Sequence, residues 1–322
     1  MKKFLVKILL YISLLSLIIL GMNTCLIFIQ KKYAAGTMGS QKNDNAEIIN
    51  ILDNIQICNF GNSHSYFGFN YEDAAKKYTC FNFALPSQSL RYDCKILDCY
   101  KDKLQRGATV FISLSYTAFF GRPETQEEDF EAKNMRYYKF LPPDMIDKYD
   151  IKTALCVKYF PIMRYNSFIK LMGVLRSTFQ KNGWILETSP EKSDGLSRYE
   201  YHVASKFDEN GRRIYKHEAV EALYKMIDIC REIGAVPVFI TMPYLHEYTD
   251  AVHEHDPQFF IDFHSIIDEV RKNTGVKYYD YSEDKRFSNE YKLFFNSDHL
   301  NIKGAKKFTQ ILLHEVLGID PD

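Results

Sequence analysis

From Ile8 to Ile29 the chain reads ILLYISLLSLIILGMNTCLIFI and carries no charged residue. At a rise of 1.5 Å per residue, a helix over this run is about as long as a bilayer's ~30 Å hydrocarbon core is thick. Lys2, Lys3 and Lys7 precede it, and Lys31 and Lys32 follow. A secretory signal has a shorter apolar stretch and a small-x-small cleavage site. Here Ala34-Ala35-Gly36 lies beyond the two trailing lysines, and Cys25 lacks the small residue that a lipoprotein site wants before it. Residues 1–32 therefore read as an uncleaved, single-pass anchor in the cell membrane. The amino terminus and three lysines on its near side favour a cytoplasmic N-terminus and an extracytoplasmic domain. Residues 33–46 are small and polar and read as a flexible stalk.

Beyond the anchor and stalk roughly 280 residues remain (47–322), enough for one large domain or two small ones. The chain of 322 residues is 46% hydrophobic and 25% charged, an ordinary globular composition. Lys+Arg and Asp+Glu both number 41. That balance offers no global attraction to nucleic acid, so no nucleic-acid partner is expected. The 15% aromatic content suits a wide core, or a groove that stacks on sugars or acyl chains. Of seven cysteines, Cys58, Cys80 and Cys230 lie in apolar segments and read as small buried hydrophobes, while Cys94 and Cys99 can close a short loop. No CxxC occurs, so neither a zinc ribbon nor a thioredoxin-like site is indicated.

Short apolar runs alternate with helical patterns, the signature of βαβ units and a parallel sheet. The expected strands are Ile55–Phe60, Thr79–Ala84, Thr109–Tyr116 (introduced by Gly107), Ala235–Met242 and Val276–Tyr281. A helical stretch is expected near Tyr71–Lys77. In Glu218–Ile233, Val220, Leu223, Ile227 and Cys230 share one helical face, with Gly234 at the C-cap. Phe259–Lys272 repeats the pattern with Ile266, Ile267 and Val270, and Ile302–Leu317 closes the chain. Between about 121 and 216 the rhythm breaks. That stretch reads as a helical insertion over the end of the sheet, with Pro161–Gln180 its best helix.

Gly61-Asn62-Ser63-His64-Ser65 follows the first strand directly. A serine at a strand-to-helix turn stands at the carboxyl edge of the sheet, where its backbone N–H can face a developing oxyanion. Gly61 allows the tight turn and Asn62 tolerates unusual backbone angles. The plainer reading makes Ser63 an N-cap. Near the C-terminus, Asn296-Ser297-Asp298-His299-Leu300-Asn301 precedes the last helix. If all strands are parallel, His299 lies in a loop at the same edge as Ser63 and can take its proton, with a carboxylate orienting the ring. The plainer reading makes His299 a loop residue that helps to cap the final helix.

GNSHS after the first strand, FNFALPSQSL after the second and NSDHLNIKGA before the last helix resemble the SGNH/GDSL-like hydrolases. They are most similar to the membrane-anchored, extracytoplasmic branch linked to teichoic-acid D-alanylation and cell-surface polysaccharide O-acylation. The resemblance covers roughly residues 51–117 and 216–317, with the motifs in the family's order. It implies a three-layer α/β/α fold with a mainly parallel five-stranded, flavodoxin-like sheet. It also places the nucleophile on Ser63 and the base on His299. The second block, whose glycine gives an oxyanion-hole N–H, falls near Ala84, and a backbone donor survives that exchange if the local φ/ψ does. The third block's Gly-x-Asn falls on FISLSY, with Ser113 or Ser115 in place of the asparagine; Ser115 and Asn62 are the expected substrate-side groups. The fourth block, Asp-x-x-His, has Asn296 where the aspartate belongs. Either Asn296 holds the ring, or a bend brings Asp298 to it.

His246, His253, His255 and His264 cluster after the fourth expected strand, but His246-Glu247 misses HExxH at its last position. They read as a solvated polar region, and no metal or cofactor is expected. The leading expectation is a membrane-anchored serine esterase or acyltransferase. It would act on acyl groups of cell-surface glycans or lipid-linked polymers, with a membrane O-acyltransferase as a partner. The alternative is a catalytically degenerate domain that serves as a binding or scaffold subunit of a cell-envelope acylation system.

Overall fold

The computed structural model describes residues 2–33, 51–122, 126, 130–160 and 194–320. The chain divides into two compact units, one of Met1–Ala35 with Glu131–Trp184 and one of Gly36–Phe130 with Ile185–Asp322. In the first unit helix α1 (Lys2–Tyr33) is long and apolar enough over Val6–Cys25 to cross a membrane, a test that a signal sequence also passes. Residues 34–50, which hold most of the expected stalk, lie outside the described residues, as does Pro161–Gln180.

The second unit is an α/β structure built on five parallel strands: β1 (Ile55–Phe60), β2 (Cys80–Asn82), β3 (Leu104–Ser113), β4 (Val236–Thr241) and β5 (Lys277–Asp280). Their order is β2-β1-β3-β4-β5. The helices in chain order are α2 (Ser63–Gly68), α3 (Leu90–Tyr100), α4 (Phe130–Asn134), α5 (Ile151–Tyr159), α6 (Asp194–His202), α7 (His217–Glu232), α8 (His246–His255), α9 (Gln258–Thr274) and α10 (Ile302–Leu317). Strands β1 and β4 and the second half of β3 are largely apolar because both faces of the sheet are covered there, whereas the edge strand β5 is exposed at Lys277 and Asp280. Ile57, Phe111, Val238 and Ile240 pack with Phe308 and Leu312 of α10. The intervening Cys58, Val110 and Phe239 point the other way and are equally buried.

Helix ends follow local chemistry. On α7, Leu223, Ile227 and Cys230 are buried as their spacing predicts, whereas Val220 is half-buried. Gly275 and Gly318 close α9 and α10 in the left-handed region, at φ 72° and 67°. Four expectations need correction. Strand β2 is only three residues long: the Phe83 N–H still donates to Asn59 O of β1, but the Ala84 N–H turns to the Asn82 side chain. Strand β3 starts before Gly107 and passes through it, with a register shift against Ile55 and Ile57. Residues 71–77 form only a short 3-10 turn over Ala74–Lys76. Cys94 and Cys99 form no disulfide with each other: both lie on α3, five positions apart on one rigid helix.

The expected insertion is helical in its described parts. Its two ends meet, with Gly121 N donating to Ile214 O and Lys216 N to Phe119 O, so the excursion leaves and rejoins the sheet unit at one place. Residues 131–184 group with α1, whereas α6 belongs to the sheet unit.

After β5 the chain makes a small antiparallel pair, β6 (Phe294–Asn296) and β7 (His299–Leu300), where a plain loop was expected. Leu245, just beyond β4, donates its N–H to Ser297 O at 2.9 Å. This bond ties the turn of the pair to the carboxyl edge of the sheet. The strand order reverses direction between β1 and β3, and ligands of such sheets bind at the crevice outside that point. Gly61, Asn62 and Ser63 leave β1 there.

Candidate active site

Gly61 has φ +138°, and a Cβ on it would fall 2.9 Å from the Cβ atoms of both Ser113 and Ser65. Only glycine fits both the angle and the space. Its N–H donates to Asp93 Oδ1 at 2.9 Å, which fixes the turn. Asn62 then caps α2, its Oδ1 accepting from His64 N at 3.1 Å. The cap is therefore Asn62 and not Ser63, which leaves the Ser63 hydroxyl free of that task. Asn301 likewise caps α10 through the N–H groups of Lys303 and Gly304, so His299 is not needed there.

The two released side chains meet. His299 Nε2 lies 2.8 Å from Ser63 Oγ. On the other side of the ring, His299 Nδ1 lies 2.9 Å from Asp298 Oδ1 and 3.0 Å from Asn296 Oδ1. Ser297 and Asp298 form the two-residue turn between β6 and β7, and that tight reversal lets adjacent side chains converge. Asn296 Oδ1 also accepts from His299 N at 2.8 Å, which holds the turn closed.

Asp298 is 1% exposed and surrounded by nitrogen. Its Oδ2 lies 3.1 Å from His64 Nε2 and 3.0 Å from His202 Nε2, and its Oδ1 lies 3.3 Å from Arg198 Nε. Burial opposes its ionisation. The charge of His299, hydrogen bonds from His299 and His64 and the close approach of the His202 ring outweigh burial and hold its pKa well below the usual carboxylate range. Asp194 completes the frame: its Oδ2 accepts from Ser297 N and Oγ at 2.9 and 3.0 Å.

His64 stacks on His299, with centroids 4.5 Å apart and planes 14° apart. Burial, followed by the charge of His299, lowers its pKa to about 4. At neutral pH it holds one ring proton, on Nε2, where the Asp298 carboxylate accepts. A second proton would find Asn62 Oδ1 at 3.0 Å from Nδ1, but the cost of burying the charge keeps it off. A pH dependence follows from this. An unfolded histidine binds a proton near pH 6.5 and folded His64 only near 4, so stability is full above 6.5 and falls across that window. The size is roughly 3 kcal/mol for one such group. Melting of the detergent-solubilised chain from pH 8 to 4.5 should show this fall. The variant His64→Gln should flatten it, and an unchanged slope would count against the assignment.

The remaining expected groups behave differently. Ser115 sits behind Asn62, whose Nδ2 donates to Ser115 Oγ at 2.7 Å, so it positions that amide. Ala84 was expected to offer an oxyanion N–H. That N–H donates to Asn82 Oδ1 at 3.0 Å, and the Phe83 and Leu85 amides are also engaged. Donors left at the site are the Ser63 N–H, in a first helical turn where amides lack intrahelical acceptors, and the second hydrogen of Asn62 Nδ2.

No protein-family model and no curated protein matches this chain.

Asp194, Arg198 and His202 are site residues that the sequence reading passed over. Their signal is the spacing of four on one helix face of α6, which aims all three at one place. The histidines after β4 are dispersed into separate pairs: His253 with Glu283 at 2.6 Å, and His264 with Asp280 at 2.8 Å. Among the described residues, the group spaced for a metal ion is His64, Asp298 and His299, with ligand atoms within 4.8 Å of one another. Those atoms face each other in the contacts above. An ion bound by them would compete with the Asp298–His299 contact.

Proposed function

We propose that this chain is a membrane-anchored serine esterase or acyltransferase of the SGNH type, acting on acyl groups of cell-surface glycans or lipid-linked polymers. The observation that carries this reading is the line from Ser63 Oγ to His299 Nε2 at 2.8 Å and from His299 Nδ1 to Asp298 Oδ1 at 2.9 Å. Ser63 Oγ attacks the acyl carbonyl carbon and its proton passes to His299 Nε2. The ionised Asp298 compensates the imidazolium, as the carboxylate does in Ser-His-Asp hydrolases. The carbonyl oxygen gains the negative charge and takes hydrogen bonds from the Ser63 N–H and Asn62 Nδ2. Collapse expels the alcohol, which leaves with the proton from His299, and the acyl group stays on Ser63. Water in the second half-reaction yields a free acid; a sugar hydroxyl yields a transferred ester.

The parallel sheet with both faces covered agrees with the three-layer SGNH arrangement, and α1 supplies the anchor with an extracytoplasmic domain. A membrane O-acyltransferase that delivers the acyl donor is the partner this reading calls for. The alternative, a silent scaffold domain, draws on the engaged Ala84 amide and the serine at position 115. It draws nothing from Asn296, since Asp298 supplies the carboxylate. A fluorophosphonate probe separates the two readings. Peptide mapping of the solubilised full chain should find the adduct on Ser63, which is half-buried and reachable. No adduct on the folded protein would overturn the esterase reading and leave the scaffold.

A further inference from the structure

We infer that α5 is a second membrane element: its apolar face is bedded in the leaflet at the carboxyl end of α1, without crossing the bilayer. The inference rests on the reading of α1 as a membrane span. Asn23 is a polar interruption in the apolar run and is 4% exposed. Its Nδ2 donates to Tyr159 O at 2.7 Å. Two deficits cancel in this bond. An amide in hydrocarbon is costly until it finds a partner, and the last carbonyls of a helix have no partner within it.

The bond also fixes depth. Asn23 lies six residues before Ile29, so the end of α5 is held about 9 Å inside the end of the apolar run. A segment tied at that level cannot stand in bulk water once α1 spans. Its surface agrees. Ile151, Leu155 and Tyr159 recur every four residues on one side and are 61%, 48% and 49% exposed; Phe160, at the deep end, is 49% exposed. Lys152 lies at the opposite end of α5, about 10 Å along the helix from Tyr159. Its ammonium can reach lipid phosphates while the apolar side chains face acyl chains.

The test uses the full chain with its single tryptophan, Trp184, replaced by phenylalanine, so that one introduced tryptophan reports depth. Leu155→Trp, Leu14→Trp on α1 and Ile261→Trp on exposed α9 are each reconstituted in phosphatidylcholine–phosphatidylglycerol vesicles, with and without brominated acyl chains. Leu155→Trp should emit at short wavelength and lose at least half its intensity to the bromines, as Leu14→Trp does, with Ile261→Trp unaffected. Ile151→Trp repeats the measurement if Leu155→Trp does not fold. Quenching at position 14 with none at 155 overturns the inference and leaves the anchor standing. Blue emission at 155 without quenching means that protein, such as a second copy, covers the face, and also overturns it. No quenching at position 14 removes the membrane reading together with the inference.

Discussion

Ser63→Ala is expected to lower kcat for a short acyl ester by about 10⁵–10⁶-fold, since a serine nucleophile and its base act as one unit. No neighbouring hydroxyl can stand in for it. Ser65 Oγ donates to Phe60 O and accepts from Asn59, while Ser297 Oγ is held by Asp194. His299→Ala should cost about as much, and the double variant little more than either alone, because each change already abolishes the same proton transfer. The loss should be chemical and not structural. Asn62 supplies the cap of α2, so Ser63→Ala should leave stability within about 0.5 kcal/mol of wild type. Steady-state turnover of a p-nitrophenyl ester, beside thermal melting of the same preparations, measures both quantities. Turnover within tenfold of wild type for the alanine variant would remove Ser63 from the chemistry, however close the imidazole stands.

What was legible in the sequence is what depends on near neighbours. Strands β1, β3 and β4 announce themselves as apolar runs because coverage on both faces leaves little polar side to show. Gly61 marks the turn because the packing of Ser113 and Ser65 forbids a Cβ there. Ser63 and His299 could be paired because parallel strands bring their carboxyl ends to one edge. The rest depends on distant parts of the chain. Whether Asp298 reaches the ring beside it turns on a two-residue reversal that periodicity cannot show, and its neighbours on α6 lie about a hundred positions earlier. The shortness of β2 and the loss of the Ala84 amide share one cause, the Asn82 side chain, whose oxygen competes for that backbone donor. A motif position marks where a residue sits but not what else claims its hydrogen.

Asp298→Asn is expected to lower kcat by about 10⁴-fold, the size of effect seen when a buried triad carboxylate becomes an amide. An amide can keep the ring near its place, but it brings no charge to set against the imidazolium, and its N–H₂ can point at His299 Nδ1 and force the wrong tautomer. The same change leaves the cationic and donor groups around Asp298 short of an acceptor: His64 Nε2 at 3.1 Å, His202 Nε2 at 3.0 Å and Arg198 Nε at 3.3 Å. Breaking one side of such a buried cluster should cost about 3 kcal/mol of stability. Asn296→Ala is the discriminating companion. Asn296 touches the same nitrogen at 3.0 Å yet carries no charge, so its loss should cost about tenfold in kcat or less. A mild Asp298→Asn with a severe Asn296→Ala would assign the orienting role to the amide. Turnover measured near pH 8, where neither His64 nor Asp298 changes protonation, reads the catalytic part of each loss apart from the titration of the cluster.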